Sequence, residues 1–316
     1  MSTTAIKIVA LVFMTIDHIG TFFPNVPIWF RYIGRLSAVL FFFASAWGFY
    51  YTHDKKLYMK RLYKYSLLMC IIDFIIPIFI TNTNYNLDNN IFSSILVADI
   101  FIYLVEITKN DDKKRKKYLG LFFLYQLGVS IFVLVLNMIV FGTQWFVSMA
   151  NILKIPYLLE SLISTALCCA WTAEGPLYLT AILPLIYFSM HDKKKLTRNY
   201  LIYNICFFAI VVTQIVPRGF MFLERYLIQL GVDNYFTILS IIKFPFAILG
   251  FRTLSIGLEY NIIQSMFQQN YQWFMIFALP IMLMYNGKKG KGLKRLFYVY
   301  YPVHIVVLYI VGALIT

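Results

Sequence analysis

Residues 28–64 read IWFRYIGRLSAVLFFFASAWGFYYTHDKKLYMKRLYK. An apolar run long enough to cross a bilayer, which takes about 20 residues, ends in five cations: Lys55, Lys56, Lys60, Arg61 and Lys64. The same unit recurs along the chain. Lys109, Lys113, Lys114, Arg115, Lys116 and Lys117 form a second cluster. Lys193, Lys194, Lys195 and Arg198 form a third, and Lys288, Lys289, Lys291, Lys294 and Arg295 a fourth. Together they hold 20 of the 28 basic residues, and each sits between two apolar stretches. Clusters placed in this way mark loops kept on the cytoplasmic side, against anionic headgroups.

The composition agrees. Of 316 residues, 60% are hydrophobic, 19% aromatic and 13% charged. A soluble domain carries about 45–50% apolar and about 25% charged residues, so no ordinary water-facing surface can be built from this inventory. The formal charge of +14 does not point to nucleic acid, because the clusters are loops between spans and no helix-turn-helix or RNP-like run accompanies them. Cys70, Cys168, Cys169 and Cys206 lie in apolar stretches without metal-ligand spacing and read as buried small hydrophobes. No metal is expected. Lys7, Asp17 and His18 interrupt the first apolar run, and a small-residue cleavage site is missing, so this run is expected to be a retained helix.

Reading outward from the basic loops predicts spans near 5–23, 28–51, 62–81, 90–108, 118–141, 174–190, 199–217, 271–286 and 296–315, with a cytoplasmic amino terminus. Two regions, 144–172 and 218–266, carry too many charges for simple spans and predict short re-entrant or interfacial helices. The expected fold is therefore all-α and polytopic, a single domain over 1–316 with about 9–11 transmembrane or re-entrant helices. A weak internal echo joins 178–193, YLTAILPLIYFSMHDK, to 271–288, YQWFMIFALPIMLMYNGK.

Charges inside spans cost about 2.5–3.5 kcal/mol each on insertion scales, so function is sought first among them. Lys7 and His18 lie eleven positions apart, about three helical turns plus 20°, so they share a face with Leu11 and Met14, about 16 Å apart along the axis. Lys7 could hold a phosphate of an anionic cosubstrate entering from the cytoplasm, while His18 acts as general base on an acceptor hydroxyl or amine. Asp17 points about 100° away from His18. Arg35 lies deep enough in the second span to need a partner, with Asp17 or a substrate carbonyl as candidates, whereas Arg31 reads as interfacial. Asp73 and Asp99 could pair with Arg35 or Arg252. In the last span Tyr301 precedes His304, a second candidate acid or base, and the Gly-rich loop with Lys288, Lys289 and Lys291 could bind phosphates. No G-x-S-x-G elbow and no H-E-x-x-H motif is present, which disfavours hydrolases and metalloproteases.

The runs KIVALVFMTIDHIG (7–20), YIGRLSAVLFFFASAWGFYYT (32–52), NYQWFMIFALPIMLMYNGKKG (270–290) and KRLFYVYYPVHIVVLYI (294–310) resemble the TraX family of membrane acetyltransferases, which is similar to the acyltransferase-3 and heparan-glucosaminide acetyltransferase groups. Those relatives place a basic residue, usually Arg, before a catalytic histidine in the first helix; Lys7 and His18 match, with Lys in place of Arg. The resemblance implies an acyl-CoA cosubstrate, most simply acetyl-CoA, and roles for Asp17, Arg35, Tyr301 and His304. It implies transfer to a cell-surface glycan, a lipid-linked polymer or a pilin-like amine, in the plasma membrane of a bacterium. A secondary transporter or flippase for a lipid-linked or glycan substrate, using the embedded charges as its path, is the alternative.

Overall fold

The computed structural model describes residues 1–80, 87, 90–142, 155–169, 177–248 and 261–315. Among these, every regular element is helical. The order is α1 (Thr3–Phe22), α2 (Trp29–Tyr50), α3 (Lys55–Phe79), α4 (Ile91–Ile107), α5 (Asp112–Gly142), α6 (Ile155–Ala166), α7 (Leu177–Thr180) and α8 (Ile182–Tyr187). There follow α9 (Lys193–Phe207), α10 (Ile215–Gln229), α11 (Tyr235–Ile248), α12 (Ile262–Gln264), α13 (Ala278–Leu283) and α14 (Lys294–Ile315). Four described runs are long and apolar enough to cross a membrane: Thr3–Phe22, Trp29–Tyr50, Lys193–Gln229 and Leu296–Ile315. The expected all-α membrane architecture is the one observed.

Side-chain caps set several helix starts. Ser2 accepts from the Ala5 N–H, Asp54 from Leu57, and Asn90 from Ser93. Asp192 accepts from Lys194 and Lys195. Each supplies the acceptor that a first helical turn lacks internally. An aspartate thus precedes the main lysine run in three of the basic clusters, since Asp111 also accepts from the Lys114 N–H. That backbone bond, with the Lys114 side chain, holds the Asp111 carboxyl below its ordinary value.

The centre is α2, whose Val39, Leu40, Phe42, Phe43, Ala44 and Ala46 are all buried, with α4 similarly enclosed through Ile91, Leu96, Val97, Ala98 and Ile102. A helix buried all round belongs to the interior of a bundle. The periphery is the reverse: Leu124, Phe222, Phe236 and Ile241 present large apolar side chains outward, as a lipid-facing surface requires.

The basic loops collect at one end. Lys55 forms an ion pair with Glu106 at the close of α4, and Tyr187 donates to the same carboxylate. Lys193 donates to the Leu283 carbonyl, and His191 packs its ring edge-on against Trp47. The amino terminus is tied to the fourth loop by Thr3 and Thr4 N–H groups donating to the Lys288 and Lys289 carbonyls, and by Thr4 Oγ1 donating to the Lys291 carbonyl. Gly290 allows this approach: its φ of 80° is left-handed, and a Cβ there would stand 2.6 Å from Ser2 Oγ. Gly290→Ala is expected to cost about 1–3 kcal/mol and to loosen this loop from α1, visible as faster hydrogen exchange at residues 2–6 in the purified protein.

Where described, the region 218–266 contains no helix as long as α1 or α2. Helix α10, of 15 residues, closes the long apolar run Lys193–Gln229, and α11, of 14 residues, is about 21 Å long, short of a hydrocarbon core of about 30 Å. The π-helical turn Phe208–Val212 and the left-handed Gln214 separate α10 from α9. Lys154, Arg252 and Glu259 lie outside the described residues.

The segments read as spans near 174–190 and 271–286 are broken where described. The first contains the short helices α7 and α8, and the second a 3₁₀ stretch, Tyr271–Phe277, followed by α13. Each six-residue helix holds a proline at its third position, Pro184 or Pro280, and the cap N–H of Phe188 or Met284 donates to that proline's carbonyl. Proline has no N–H to give a preceding turn but is tolerated in the first turn of a new helix. The two echoing stretches thus share a short helix with proline at its third position, and both pack on α2.

Candidate functional site

Deep in the bundle, α1 and α14 bring two imidazoles together. His18 Nδ1 lies 2.8 Å from His304 Nε2, and the residues are 3% and 7% exposed. The hydrogen-bond chain determines the tautomers of a neutral pair. A carbonyl can only accept, so His304 Nδ1–H donates to the Tyr300 carbonyl at 2.8 Å. His304 Nε2 is then an acceptor, His18 Nδ1–H donates to it, and the basic lone pair of His18 resides on Nε2. An arrangement of this kind can hold one imidazole in a fixed tautomer and orientation through another.

Aromatic packing fixes both rings. Phe22 stacks on His18 at 5.7 Å and Tyr300 on His304 at 5.0 Å. Thr15 Oγ1 donates to the Leu11 carbonyl and accepts from the Tyr300 hydroxyl at 2.8 Å.

Asp17 belongs to a different network. Its carboxylate pairs with Arg35 Nη2 at 2.5 Å and with Arg31 Nη1 at 2.9 Å. Arg35 Nη1 donates to Gln272 Oε1 and Arg35 Nε to the Arg31 carbonyl. The 100° offset from His18 has this consequence: the group that holds the His18 ring is His304, and Asp17 anchors two arginines. Arg31, read as interfacial, is instead an ion-pair partner, because the start of α2 packs beside the end of α1. Asp73 and Asp99 are both buried, and the ion-pair partner of Arg35 among the described residues is Asp17. Neither Asp99 oxygen has a hydrogen-bond partner among the described residues.

Gly34 permits this pairing. A Cβ at Gly34 would fall 2.2 Å from Asp17 Cβ, Cγ and Oδ1, so Gly34→Ala is expected to push α1 and α2 apart and cost about 1–3 kcal/mol. Thermal unfolding of the detergent-solubilised variant measures it.

At the basic end a cavity of ≈ 490 Å³ opens between α1, α2, α3, α4 and α14. Its wall carries Lys7, Lys289 and Lys291, three of the cations singled out in the sequence, and also Arg61, which the sequence offered only as part of a topogenic cluster. Lys7 Nζ lies over the Phe297 ring at 5.3 Å. Trp47 Nε1 and Arg61 Nε are buried donors without a partner among the described residues, and both residues line the cavity. Lys288 is absent from the wall; its carbonyl pins Thr3. Tyr301 forms part of the lining and is buried, with its hydroxyl accepting the Ile91 N–H at 3.1 Å. Its ring meets that of His304 edge-on at 5.8 Å. Tyr301 thus stands between the cationic cavity and the imidazole pair, while it also caps α4. His304 is already a candidate in the sequence, but its pairing with His18 and the place of Arg61 in the cavity become recognisable only through packing, since the partners are distant along the chain.

The sequence model of the family described as TraX protein matches residues 2–215 and 223–312. The chain belongs to the TraX family. The match extends through the middle of the chain, where the sequence had offered topology alone, and takes in α1, the cavity wall, the arginine pair and His304. Neither the curated proteins nor the solved structures contain a match to this chain.

Proposed function

We propose that this TraX-family protein is an acyl-CoA-dependent acyltransferase, with acetyl the expected acyl group, acting on an acceptor hydroxyl or amine in or across the membrane. The observation that carries the reading is the ordered series of cationic cavity, Tyr301 and imidazole pair. Lys7, Arg61, Lys289 and Lys291 suit the phosphates of a CoA thioester, and the buried donors Trp47 Nε1 and Arg61 Nε suit an acceptor-rich ligand. The thioester end of such a ligand would run past Tyr301 toward His18.

In the reaction His18 Nε2 takes the proton from the acceptor O–H or N–H as that atom attacks the thioester carbon. The new acyl–oxygen or acyl–nitrogen bond forms, the carbon–sulfur bond breaks, and the CoA thiolate leaves with the proton from His18. His304, held by the Tyr300 carbonyl, keeps the reacting lone pair on Nε2 and stabilises the imidazolium through its own Nε2. The positive-inside pattern of the basic loops supports a cytoplasmic cavity mouth, the side from which an acyl-CoA would enter. Acceptors of the expected classes are a cell-surface glycan, a lipid-linked polymer and a pilin-like peptide amine.

The test begins with binding. Acetyl-CoA at 100 times its dissociation constant should stabilise the purified protein by about 2.7 kcal/mol, whereas a transporter of glycan or lipid-linked substrates should gain nothing. With labelled acetyl-CoA and a bacterial membrane extract, label should pass to an acceptor and free CoA thiol should appear; neither event is expected of a transporter. Lys7→Gln and Arg61→Gln should each raise the KM for acetyl-CoA by about tenfold, the worth of one charge-assisted hydrogen bond, with kcat changed much less.

A further inference from the structure

Arg31 and Arg35 share one carboxylate. Among the described residues Asp17 is the acid that pairs with them, and their other partners are neutral: the Tyr271 hydroxyl, Gln272 Oε1, and the carbonyls of Asp17 and Arg31. The cluster therefore carries an excess positive charge. Arg31 Nη2 makes no hydrogen bond among the described residues, although Nε and Nη1 of the same guanidinium do. The two side chains keep 22% and 20% of their surface accessible, so an approaching group can reach them. A largely buried cation without full compensation is costly, and a planar guanidinium with spare N–H donors is shaped for bidentate phosphate or carboxylate.

The position relates this charge to the chemistry. Asp17 adjoins His18 in α1, and His18 lies within electrostatic reach of Asp17, Arg31 and Arg35. Lys7 is ten residues earlier, about 15 Å along the helix. The cationic cavity and the arginine pair thus approach His18 from opposite ends of the bundle, as a donor and an acceptor must when they come from different sides.

We infer that Arg31 and Arg35 form an anion subsite for the acceptor, which carries a phosphate or carboxylate close to its nucleophile. This rests on the acyltransferase reading for the word acceptor, but the anion subsite itself is tested without acetyl-CoA.

Binding of three oligomers to the purified full chain distinguishes the outcomes: a glycerol phosphate oligomer, a hexuronic acid oligosaccharide and a neutral chitooligosaccharide. At least one anionic oligomer should bind about tenfold tighter than the neutral one, and weaken as salt is raised. Preference between the two anions tells phosphate from carboxylate. Arg31→Gln should lose about tenfold in that affinity, while Arg31→Lys, which keeps the charge and is less disruptive, should recover part of it. Equal binding of the neutral oligomer, no saturable binding of either anion, or anion affinity indifferent to charge at position 31 overturns the inference. Label transfer from acetyl-CoA to the oligomer that binds then scores the acyltransferase reading separately: anion binding without transfer leaves the subsite standing and sinks the enzyme.

Discussion

Alanine at position 18 is expected to lower acyl transfer by about 10²- to 10⁴-fold, the usual contribution of a positioned general base, with acetyl-CoA affinity unchanged. The affinity should hold because the cavity wall is built by Lys7, Arg61, Lys289 and Lys291 near the opposite end of α1, and His18 does not line it. Single-turnover transfer of labelled acetyl, beside a thermal-shift titration with acetyl-CoA, separates the two quantities. A His18→Ala protein that transfers label at the wild-type rate would end the mechanism proposed above.

The companion experiment uses His304. If its role is to hold the His18 proton on Nδ1, His304→Ala should lower the rate, and the double variant should be little slower than His18→Ala alone, because residues that act as a unit are strongly non-additive. Multiplicative losses would instead mean that the two imidazoles work on different steps.

Asp17→Ala is expected to be the most damaging change to stability, about 3–5 kcal/mol. The loss follows from what remains: two largely buried guanidinium groups without their carboxylate. Asp17→Asn keeps the shape and loses only the charge, so it should fall between the alanine variant and the wild type. Thermal unfolding in detergent measures both. Should Asp17→Ala unfold at the wild-type temperature, the arginine pair would need another source of compensation, and the anion subsite would lose its main premise.

Much of the architecture was readable in linear text because hydropathy, span length and loop charge are local properties. The spans near 5–23, 28–51, 90–108 and 296–315 correspond to α1, α2, α4 and α14 within a few residues, since each is a continuous apolar run with clear boundaries. The segments around Pro184 and Pro280 were read as spans for the same reason, yet they are broken. Apolar composition reports burial or lipid contact, and it is indifferent to where a proline restarts a helix.

The candidate site was legible to the same degree. Lys7 and His18 share a face of one helix, a relation that helical periodicity determines, and the 100° offset of Asp17 already separated it from His18. What α1 could not reveal was the identity of the partners. His304 is 286 positions from His18, and Arg35 Nη1 meets Gln272 237 positions away. Arg61 looked like one cation among five until α3 placed it in the cavity beside Lys7.

By itself, then, the sequence determined an all-α membrane protein, its basic loops at one end, and an ionisable stripe on the first helix, because these follow from composition, period and loop charge along the chain. Only the tertiary structure decided that His304 orients His18, that Asp17 belongs to Arg31 and Arg35, and that Arg61 joins the cationic cavity. The physical reason is that partner choice depends on the order and rotation in which helices pack. Gly34 makes the point: a missing side chain lets α1 and α2 close on each other, and nothing in the local text says which carboxylate will occupy the gap.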